Sequence, residues 1–411
     1  LTHQGNQVLA TINRKPFADL AGNENQAGPA RGLDSLVPSA GGDMGDLIWG
    51  LDQMTSLSEM RRSFEAMSPQ RYDAFTETGL NQGVIFQEDI ARRLGYVRLG
   101  VAPSGKEAGL ATAMAMALTK AGDAGIPTIK TAGPWSFWTR GYGNWTSAQK
   151  TDQYGGFDAS IFGMSLGADR TFGGWLTLGA CLGLSRALIN WDPSAGDGRN
   201  QGLNLGLYAG LTRGGLYLDA SGSYGYFDYS SDRRIQYSGV DRTAHAESSA
   251  NRWGAYLGGG YDFRWRGLVF GPTASAQYQH LYEAGFTETG AGSLNLSVDE
   301  RRTDSCQVSL GGRVARVWET GGTNPLKFVP QARLRWVHEF NNDPRFILAR
   351  FSGSDTFRVP GLAVKADTAA AGLGLSLFMS EAVSLYLDAE AALFRADYSS
   401  FSLAGGVRVR F

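Results

Sequence analysis

The feature that most constrains the fold is an alternation of apolar and polar residues with a period of two, which runs from about residue 133 to residue 411. It is clearest at the C-terminal end, where two interleaved sets of residues differ in character: Phe401, Leu403, Gly405, Val407, Val409 and Phe411 against Ser402, Ala404, Gly406, Arg408 and Arg410. Successive side chains of a β-strand point to opposite faces. The pattern therefore predicts strands with one apolar and one polar face.

The number of such segments predicts about twelve strands, an even number, which places both ends of a barrel on the same side. The predicted segments are 135–147, 156–172, 175–190, 200–212, 215–229, 249–264, 267–283, 305–318, 326–340, 363–379, 382–396 and 400–411.

Alternation alone fits a soluble β-sandwich, whose apolar face packs inward, and an outer-membrane barrel, whose apolar face meets lipid. The connections favour the barrel because tight and long ones alternate, as periplasmic turns and external loops do. Tight links are predicted near residues 173–174, 213–215, 265–267 and 380–381, and long polar ones near 192–199, 230–248, 283–304 and 341–359. Tryptophans near segment ends suit the two membrane interfaces: Trp135, Trp175, Trp191, Trp265 and Trp318.

Composition points the same way. The chain has 56 glycines, 11% aromatic residues and only 19% charged residues, which is few for a soluble domain. Its longest apolar stretch, residues 109–118, is too short to cross a bilayer as a helix. The net charge of −1 gives no basic face for a nucleic-acid partner. We therefore predict an all-β transmembrane barrel of about twelve antiparallel strands.

The region before the barrel has a different residue pattern. Residues 1–18 contain a short alternating piece, and residues 19–125 read as helical. The clearest helix begins at Ser68 and Pro69, a capping serine followed by a proline that fits the first turn, and Gly95 predicts its end. The chain begins at Leu1 without a signal peptide, so we expect a fragment of a longer precursor.

The sequence indicates no catalytic, cofactor-binding or metal-binding site. The histidines His3, His245, His280 and His338 are scattered without ligand spacing, and Cys181 and Cys306 form no disulfide framework. A pair such as His280 and Ser275 lacks a third group. The charges on the polar strand faces are instead predicted to line the lumen: Arg140, Asp219, Arg333, Arg335, Asp388, Glu390, Arg408 and Arg410.

Several short motifs, taken in order, resemble the autotransporter (type V secretion) β-domain family. They are residues 138–145, similar to its first strand, 163–170, similar to its second strand with glycines before an Asp, 285–291, similar to a loop near strands seven and eight, and 403–411, similar to its assembly signal. Upstream, Leu20-Ala21, Asn25-Gln26 and Leu33-Asp34 resemble the junction where passengers end. The resemblance divides the chain into a passenger end (1–100), a linker (101–133) and a translocator barrel (134–411).

The resemblance implies that the barrel inserts into outer-membrane lipid and exports its own N-terminal passenger to the cell surface. Periplasmic chaperones and the barrel-assembly machinery are the implied partners, and the machinery reads Phe401, Leu403, Val407, Val409 and Phe411. The linker is expected to leave a helix in the pore, and the alanine-rich residues 104–118 fit that part, with Ser104, Ala108, Ala111, Ala115 and Leu118 along it. A surface helix of the passenger stump remains the alternative for this segment.

Two other functions stay open. The lumen charges also suit a diffusion pore, although the helical extension argues against one. The barrel could equally anchor a surface enzyme or adhesin whose active part lies upstream. Some relatives in the resembling family release the passenger by cleavage at an asparagine inside the pore. Residues 82–134 contain no Asn, so we expect no such cleavage here.

Overall fold

A computed structural model describes residues 2–4, 7–9, 14–99, 135–191, 195–321, 326–380, 382–393 and 397–410. Its main body is a closed antiparallel β-barrel, preceded by a helical region. We number the barrel strands in chain order: β1 (Trp135–Ala148), β2 (Phe157–Phe172), β3 (Leu176–Asn190), β4 (Gly196–Arg213), β5 (Leu216–Tyr237), β6 (Val240–Tyr261), β7 (Leu268–Glu283), β8 (Arg301–Arg316), β9 (Lys327–Glu339), β10 (Asp367–Phe378), β11 (Val383–Leu393) and β12 (Tyr398–Arg410).

Each barrel strand pairs with its neighbours in sequence, and the last strand closes on the first. The closing register runs from Tyr398 opposite Ala148 to Arg410 opposite Ser136. Closure leaves no strand edge with unpaired backbone groups, which lipid would penalise by several kcal/mol each. The predicted barrel of about twelve antiparallel strands is confirmed, and its last strand pairs with its first.

The remaining elements are helices, 3₁₀ turns and short strands outside the twelve-stranded wall. The helices are α1 (Glu24–Leu36), α2 (Gly42–Asp52), α3 (Leu57–Met67) and α4 (Asp73–Leu99), with 3₁₀ turns at Phe17–Leu20, Pro69–Tyr72 and Gly292–Leu294. Thr2–Gln4 pairs with Gln7–Leu9, while Phe263–Trp265 and Trp318–Glu319 pair with β7 and β9. Phe286–Thr287, Leu296–Val298, Phe346–Phe351 and Phe357–Pro360 form a four-stranded sheet within the loops.

The two ends of the barrel differ in their connections. Tight turns join β2 to β3 and β4 to β5, and Gly214 and Gly215 in the second of these have φ of 62° and 109°, values that favour glycine. We call this the short-turn end. The opposite, long-loop end carries the four-stranded sheet between β7 and β8 and between β9 and β10.

Two of the predicted long loops are wrong in whole or in part. Residues 230–248 are not a loop, because β5 and β6 continue through them to a turn at Tyr237 and Val240. The second half of 192–199 likewise belongs to β4. The polar composition misled the prediction, since alternate residues of the β5–β6 extension, such as Ile235 and Ala244, are buried beneath the N-terminal helices.

Residues 14–72 form a helical cap over the long-loop end. Its core joins Phe17, Leu33 and Phe64 to residues of the barrel loops such as Leu294 and Phe351. At two positions of α1, a side chain would collide with the loop sheet: a Cβ on Gly28 would lie 2.6 Å from Val359 Cγ2, and one on Gly32 would lie 2.7 Å from Phe357 Cδ1. These glycines let α1 rest directly on the loop sheet.

The outer surface of the barrel wall is apolar. Leu207, Leu373 and Leu334 are 69%, 67% and 58% exposed, and Trp145 stacks on Phe401 across the closing strand pair. An exposed apolar belt of this size on a polar-lined barrel is the surface that faces lipid tails.

Among the described residues, no helix has the length and apolar character needed to cross a membrane.

Candidate functional site

Helix α4 runs inside the barrel, from the cap toward the short-turn end. It follows the Pro69–Tyr72 turn, which Ser68 caps by accepting the N–H of Gln70 at 3.2 Å, so the predicted start of the helix is confirmed. Its backbone lies against β2–β7. The predicted stop at Gly95 is wrong: the helix continues to Leu99, because Tyr96 and Arg98 still find partners on the wall, namely Asp388 and Asp219.

Two glycines set the distance between α4 and the wall. A Cβ on Gly79 would lie 2.8 Å from the Tyr229 hydroxyl, and one on Gly83 would lie 2.0 Å from Gln279 Oε1 and 2.3 Å from Arg252 Nη1. The glycines are four residues apart and therefore share one face of the helix. This face packs closely against β5, β6 and β7, and a larger residue there would displace the ends of Tyr229, Gln279 and Arg252.

Buried ion pairs fix the C-terminal part of α4 to the barrel wall. Arg93 forms a two-pronged pair with Asp169 on β2, at 2.7 and 2.8 Å, and both side chains are at most 3% exposed. Arg98 binds both carboxylate oxygens of Asp219 on β5, at 2.5 and 2.6 Å. Losing one partner of a buried pair costs about 3–5 kcal/mol because the other charge is left uncompensated.

A larger charge cluster lies on the opposite side of the helix, where long side chains bridge α4 to β1, β9 and β11. Asp89 binds Arg140 at 2.7 Å, and Arg140 reaches Asp388 at 3.5 Å. Arg92 pairs with Glu88 at 2.9 Å and with Glu390 at 3.0 Å. Arg335 binds the same two carboxylates, Glu390 at 2.5 Å and Glu88 more closely.

The structure places the predicted lumen charges on the inner face of the wall, and most of them contact α4 or each other. Arg333 binds Asp388 at 2.6 Å and Glu390 at 3.0 Å. Arg408 is buried, and Arg410 follows on the same face of β12.

The motif residues that carried the family resemblance also face α4. Asn144 accepts a hydrogen bond from Asn81 at 2.9 Å, and Ser165 donates one to Asp89 at 3.0 Å. The aspartate that follows the glycines of β2 is Asp169, the partner of Arg93. The motifs therefore supply part of the surface that holds the helix.

Sequence reasoning missed the lumen residues of α4 itself. The sequence predicts a helix from Ser68 to Gly95, with an apolar stripe that includes Tyr72, Phe75 and Phe86, but the resemblance assigns residues 1–100 to the passenger end. The signal was available: Gln82, Gln87, Asp89 and Arg93 interrupt the apolar stripe on several sides of the helix, and all four are buried. A helix with polar residues around its circumference suits a polar lumen better than an apolar core.

The predicted plug residues Ser104, Ala108, Ala111, Ala115 and Leu118 lie outside the described residues, and so does Phe411. Of the other predicted assembly-signal residues, Phe401 and Leu403 are exposed on the outer face of β12, and Val407 and Val409 share that face.

Asparagine is present in the lumen helix after all. Residues 82–134 contain no Asn, but α4 begins before them and carries Asn81, which contacts Asn144 on the wall. The Asn81 amide donates to Asn144 at 2.9 Å and to Thr146 at 3.3 Å.

The described residues hold no cluster of three or more potential metal ligands. His280 faces outward and pairs with Asp304 at 2.8 Å, whereas Ser275 faces the lumen and bonds to Ser309 at 2.7 Å. The two residues that sequence alone left as a conceivable pair thus lie on opposite faces of β7.

The sequence of the chain is similar to a family model and to known proteins. The family model described as "Autotransporter beta-domain" matches residues 137–390, more than half of the chain. An extracellular serine protease of Serratia marcescens is 26% identical over 251 residues, which cover 60% of this chain and 24% of that protein. Outer membrane protein B of Rickettsia rickettsii is 23% identical over 279 residues, covering 65% and 16%. The chain thus spans about a quarter or less of these curated relatives.

Two solved structures share the fold. The translocator domain of the autotransporter NalP from Neisseria meningitidis aligns with a TM-score of 0.55 at 15% identity, covering 80% of this chain and 98% of that one. The β-domain of the Bordetella autotransporter BrkA aligns with a TM-score of 0.50 at 23% identity, covering 68% and 100%. With the family match over residues 137–390, these findings establish that the chain belongs to the autotransporter β-domain family and is an outer-membrane β-barrel.

Proposed function

We propose that this barrel exports the N-terminal part of its own polypeptide to the cell surface and then retains α4 in the pore. The observation that carries the proposal is the path of the chain: the cap lies over the long-loop end, and α4 descends from it through the lumen. A chain folded in this way has its upstream part on one side of the membrane and both ends of the barrel wall on the other.

The orientation follows from the connections. Long loops face outside and short turns face the periplasm in barrels of this class, so the cap and everything before it lie at the cell surface. The first partner is therefore the protein's own N-terminal passenger. The second is the outer-membrane lipid around the apolar belt.

Assembly requires further partners. We propose that periplasmic chaperones deliver the chain and that the barrel-assembly machinery reads the last strand, through Phe401, Leu403, Val407, Val409 and Phe411. Deleting Phe411 should leave little barrel in the outer membrane of cells while purified protein still folds in detergent micelles. Normal outer-membrane levels of the deleted protein would leave Phe411 only an anchoring role.

We assign the barrel itself no catalytic step. Two relatives are extracellular serine proteases, which favours as second candidate a barrel that anchors or exports an enzyme encoded upstream. This candidate differs from the first only in the activity of the passenger. A simple diffusion pore is disfavoured because α4 occupies the lumen and is fixed there by buried ion pairs.

Thiol labelling of intact cells tests the proposal. In a background lacking Cys181 and Cys306, we expect an impermeant thiol reagent to modify Trp49→Cys on the exposed face of the cap and Gly239→Cys at the β5–β6 turn. The matched variant Gly214→Cys, at a short turn, should react only after lysis. Labelling of Gly239→Cys without Trp49→Cys would contradict export of the N-terminal region, and labelling of Gly214→Cys alone would invert the barrel.

A further inference from the structure

The lumen is filled unevenly around α4. On the side of β2–β7 the helix rests directly on the wall, where the Cα atoms of Gly79 and Gly83 lie against wall side chains. On the side of β8–β12 the gap is crossed by long side chains, and one cavity borders this side while another extends along β5–β9. The lumen is therefore filled by direct packing of α4 on the wall at β2–β7 and by long bridging side chains toward β8–β12.

The first cavity lies toward the long-loop end. Its volume is about 220 Å³, and its lining includes Asn81, Gln307, Asn341 and Ser402. The second cavity lies toward the short-turn end, with a volume of about 150 Å³ and a lining that includes Arg98, Asp219 and Arg313. Each has charged side chains in its lining and is far larger than the roughly 10–15 Å³ that one water molecule requires, so water fills both.

The two cavities meet at one level of the pore. They share six lining residues: Glu88, Tyr256, Ser275, Ser309, Arg335 and Glu390. Three of these, Glu88, Arg335 and Glu390, belong to the charge cluster that also contains Arg92. Four side chains form the centre of that cluster, two positive and two negative: Arg92 and Arg335 each bind both Glu88 and Glu390. Arg333 binds Glu390 from outside these four, at 3.0 Å.

We propose that this four-residue cluster is the gate that keeps the barrel closed to ions, and that α4 alone does not close it. The cavities above and below supply water-filled vestibules, and the cluster closes the passage between them. Each charge is satisfied within the cluster, so neither sign of ion gains by entering. Opening the gate requires breaking the bridge between α4 and β9 or β11 without moving the helix.

The proposal predicts a change in ion selectivity as well as in conductance. Arg335→Ala removes one positive charge and leaves Glu88 with Arg92, and Glu390 with Arg92 and Arg333, so the opened passage should favour cations. Glu390→Gln leaves Arg92 and Arg335 with only Glu88, so the passage should favour anions. Loss of the whole helix would give both variants the same open lumen and similar selectivity.

Planar-bilayer recording of the purified full chain tests this directly, with a variant lacking residues 73–130 as the fully open reference. We expect Arg335→Ala to raise conductance by about three-fold or more, yet to remain well below the reference, because α4 still occupies the lumen. Glu390→Gln should conduct less than Arg335→Ala, with the opposite sign of reversal potential in a salt gradient. The matched control is Arg313→Ala, an inner-face arginine that lines only the second cavity and pairs with Asp262 at 2.5 Å, and its conductance should stay unchanged.

Three results would overturn the proposal: unchanged conductance in both cluster variants, conductance of Arg335→Ala equal to the reference, or the same selectivity in both variants. If Arg335→Ala fails to fold, Arg335→Met keeps most of the side-chain volume and should still show cation selectivity. The recordings use purified protein, so their outcome is independent of whether the barrel exports a passenger.

Discussion

Large apolar side chains point inward in the cap and outward in the barrel wall. In the cap, Phe64 is 0% exposed and packs against Phe17, whereas in the wall Leu207 is 69% exposed and faces outward. The difference follows from the medium: water surrounds the cap, so its apolar groups cluster inside, and lipid surrounds the wall, so its apolar groups need no protein partner. The polar groups of the wall point inward instead, where α4 pairs with them.

The largest expected effect comes from matched truncations in the two regions. Phe64→Ala should lower the free energy of unfolding of the cap by about 3–5 kcal/mol, because it leaves a cavity in a dry core. Leu207→Ala should change barrel stability by about 1 kcal/mol or less, because lipid tails replace the lost methyl groups. Urea titration followed by proteolysis of the cap, beside heat resistance of the folded barrel on gels, measures both. Equal losses at the two sites would break the comparison.

The lumen side of α4 should resist enlargement. Gly83→Leu should cost about 3 kcal/mol because its side chain overlaps Gln279 and Arg252, and it should shift the helix from the wall and raise conductance. The control is Gly50→Leu on α2, where no atom lies within 4 Å of a Cβ. Indistinguishable stability and conductance of the two variants would show that α4 is not in close contact with β6 and β7.

A smaller effect is expected where the cap meets the wall at its rim. Arg242 donates hydrogen bonds to Asp43 and holds the pKa of that carboxyl well below its usual range. A lowered folded pKa contributes stability that is present above the ordinary pKa and is lost as pH falls through the folded value. Since both side chains are partly exposed, Asp43→Asn should cost about 0.5–1 kcal/mol at neutral pH and less in acid. Parallel urea titrations at neutral and acidic pH measure this; a loss that grows in acid would contradict the assignment.

The smallest effect is expected at Asn81. Its amide is bound to Asn144 and Thr146 within a regular helix, so it is not free to attack the backbone, and the chain should stay whole. The 44.2 kDa chain should run as one band from a host without surface proteases, and Asn81→Asp should look the same. A cut after Asn81 that disappears in Asn81→Asp would reveal an intrinsic release mechanism.

The barrel could be predicted because the sequence of each strand by itself shows which residues lie on its apolar face and which on its polar face. The period-two pattern of β11 and β12 depends only on neighbours in sequence, and the turns carry glycines that their geometry requires. The β5–β6 extension was misread because its polar composition, with Asp232, Arg234 and Asp241 outside, hides inner residues that only the cap buries.

The position of α4 could not be predicted in the same way. An apolar stripe with Phe75, Phe86 and Ile90 fits a cap helix and a lumen helix alike, and the difference lies in partners distant in sequence. Arg233 and Glu288 illustrate the limit: both are buried and bind each other at 2.6 Å, and Tyr72 donates to the same carboxylate. Nothing in the local sequence of any of the three indicates the other two.

The central claim is that the chain passes through its own barrel, and one cross-link tests it most directly. Leu94 of α4 lies against Gly210 of β4, since a Cβ on Gly210 would be 2.8 Å from Leu94 Cδ2. In a background lacking Cys181 and Cys306, Leu94→Cys combined with Gly210→Cys should form a disulfide on oxidation of intact cells and shift mobility on a non-reducing gel. Leu94→Cys combined with Gly222→Cys, on the open outer face of β5, should not. Absence of the first link, or equal formation of both, would contradict a helix held inside the barrel.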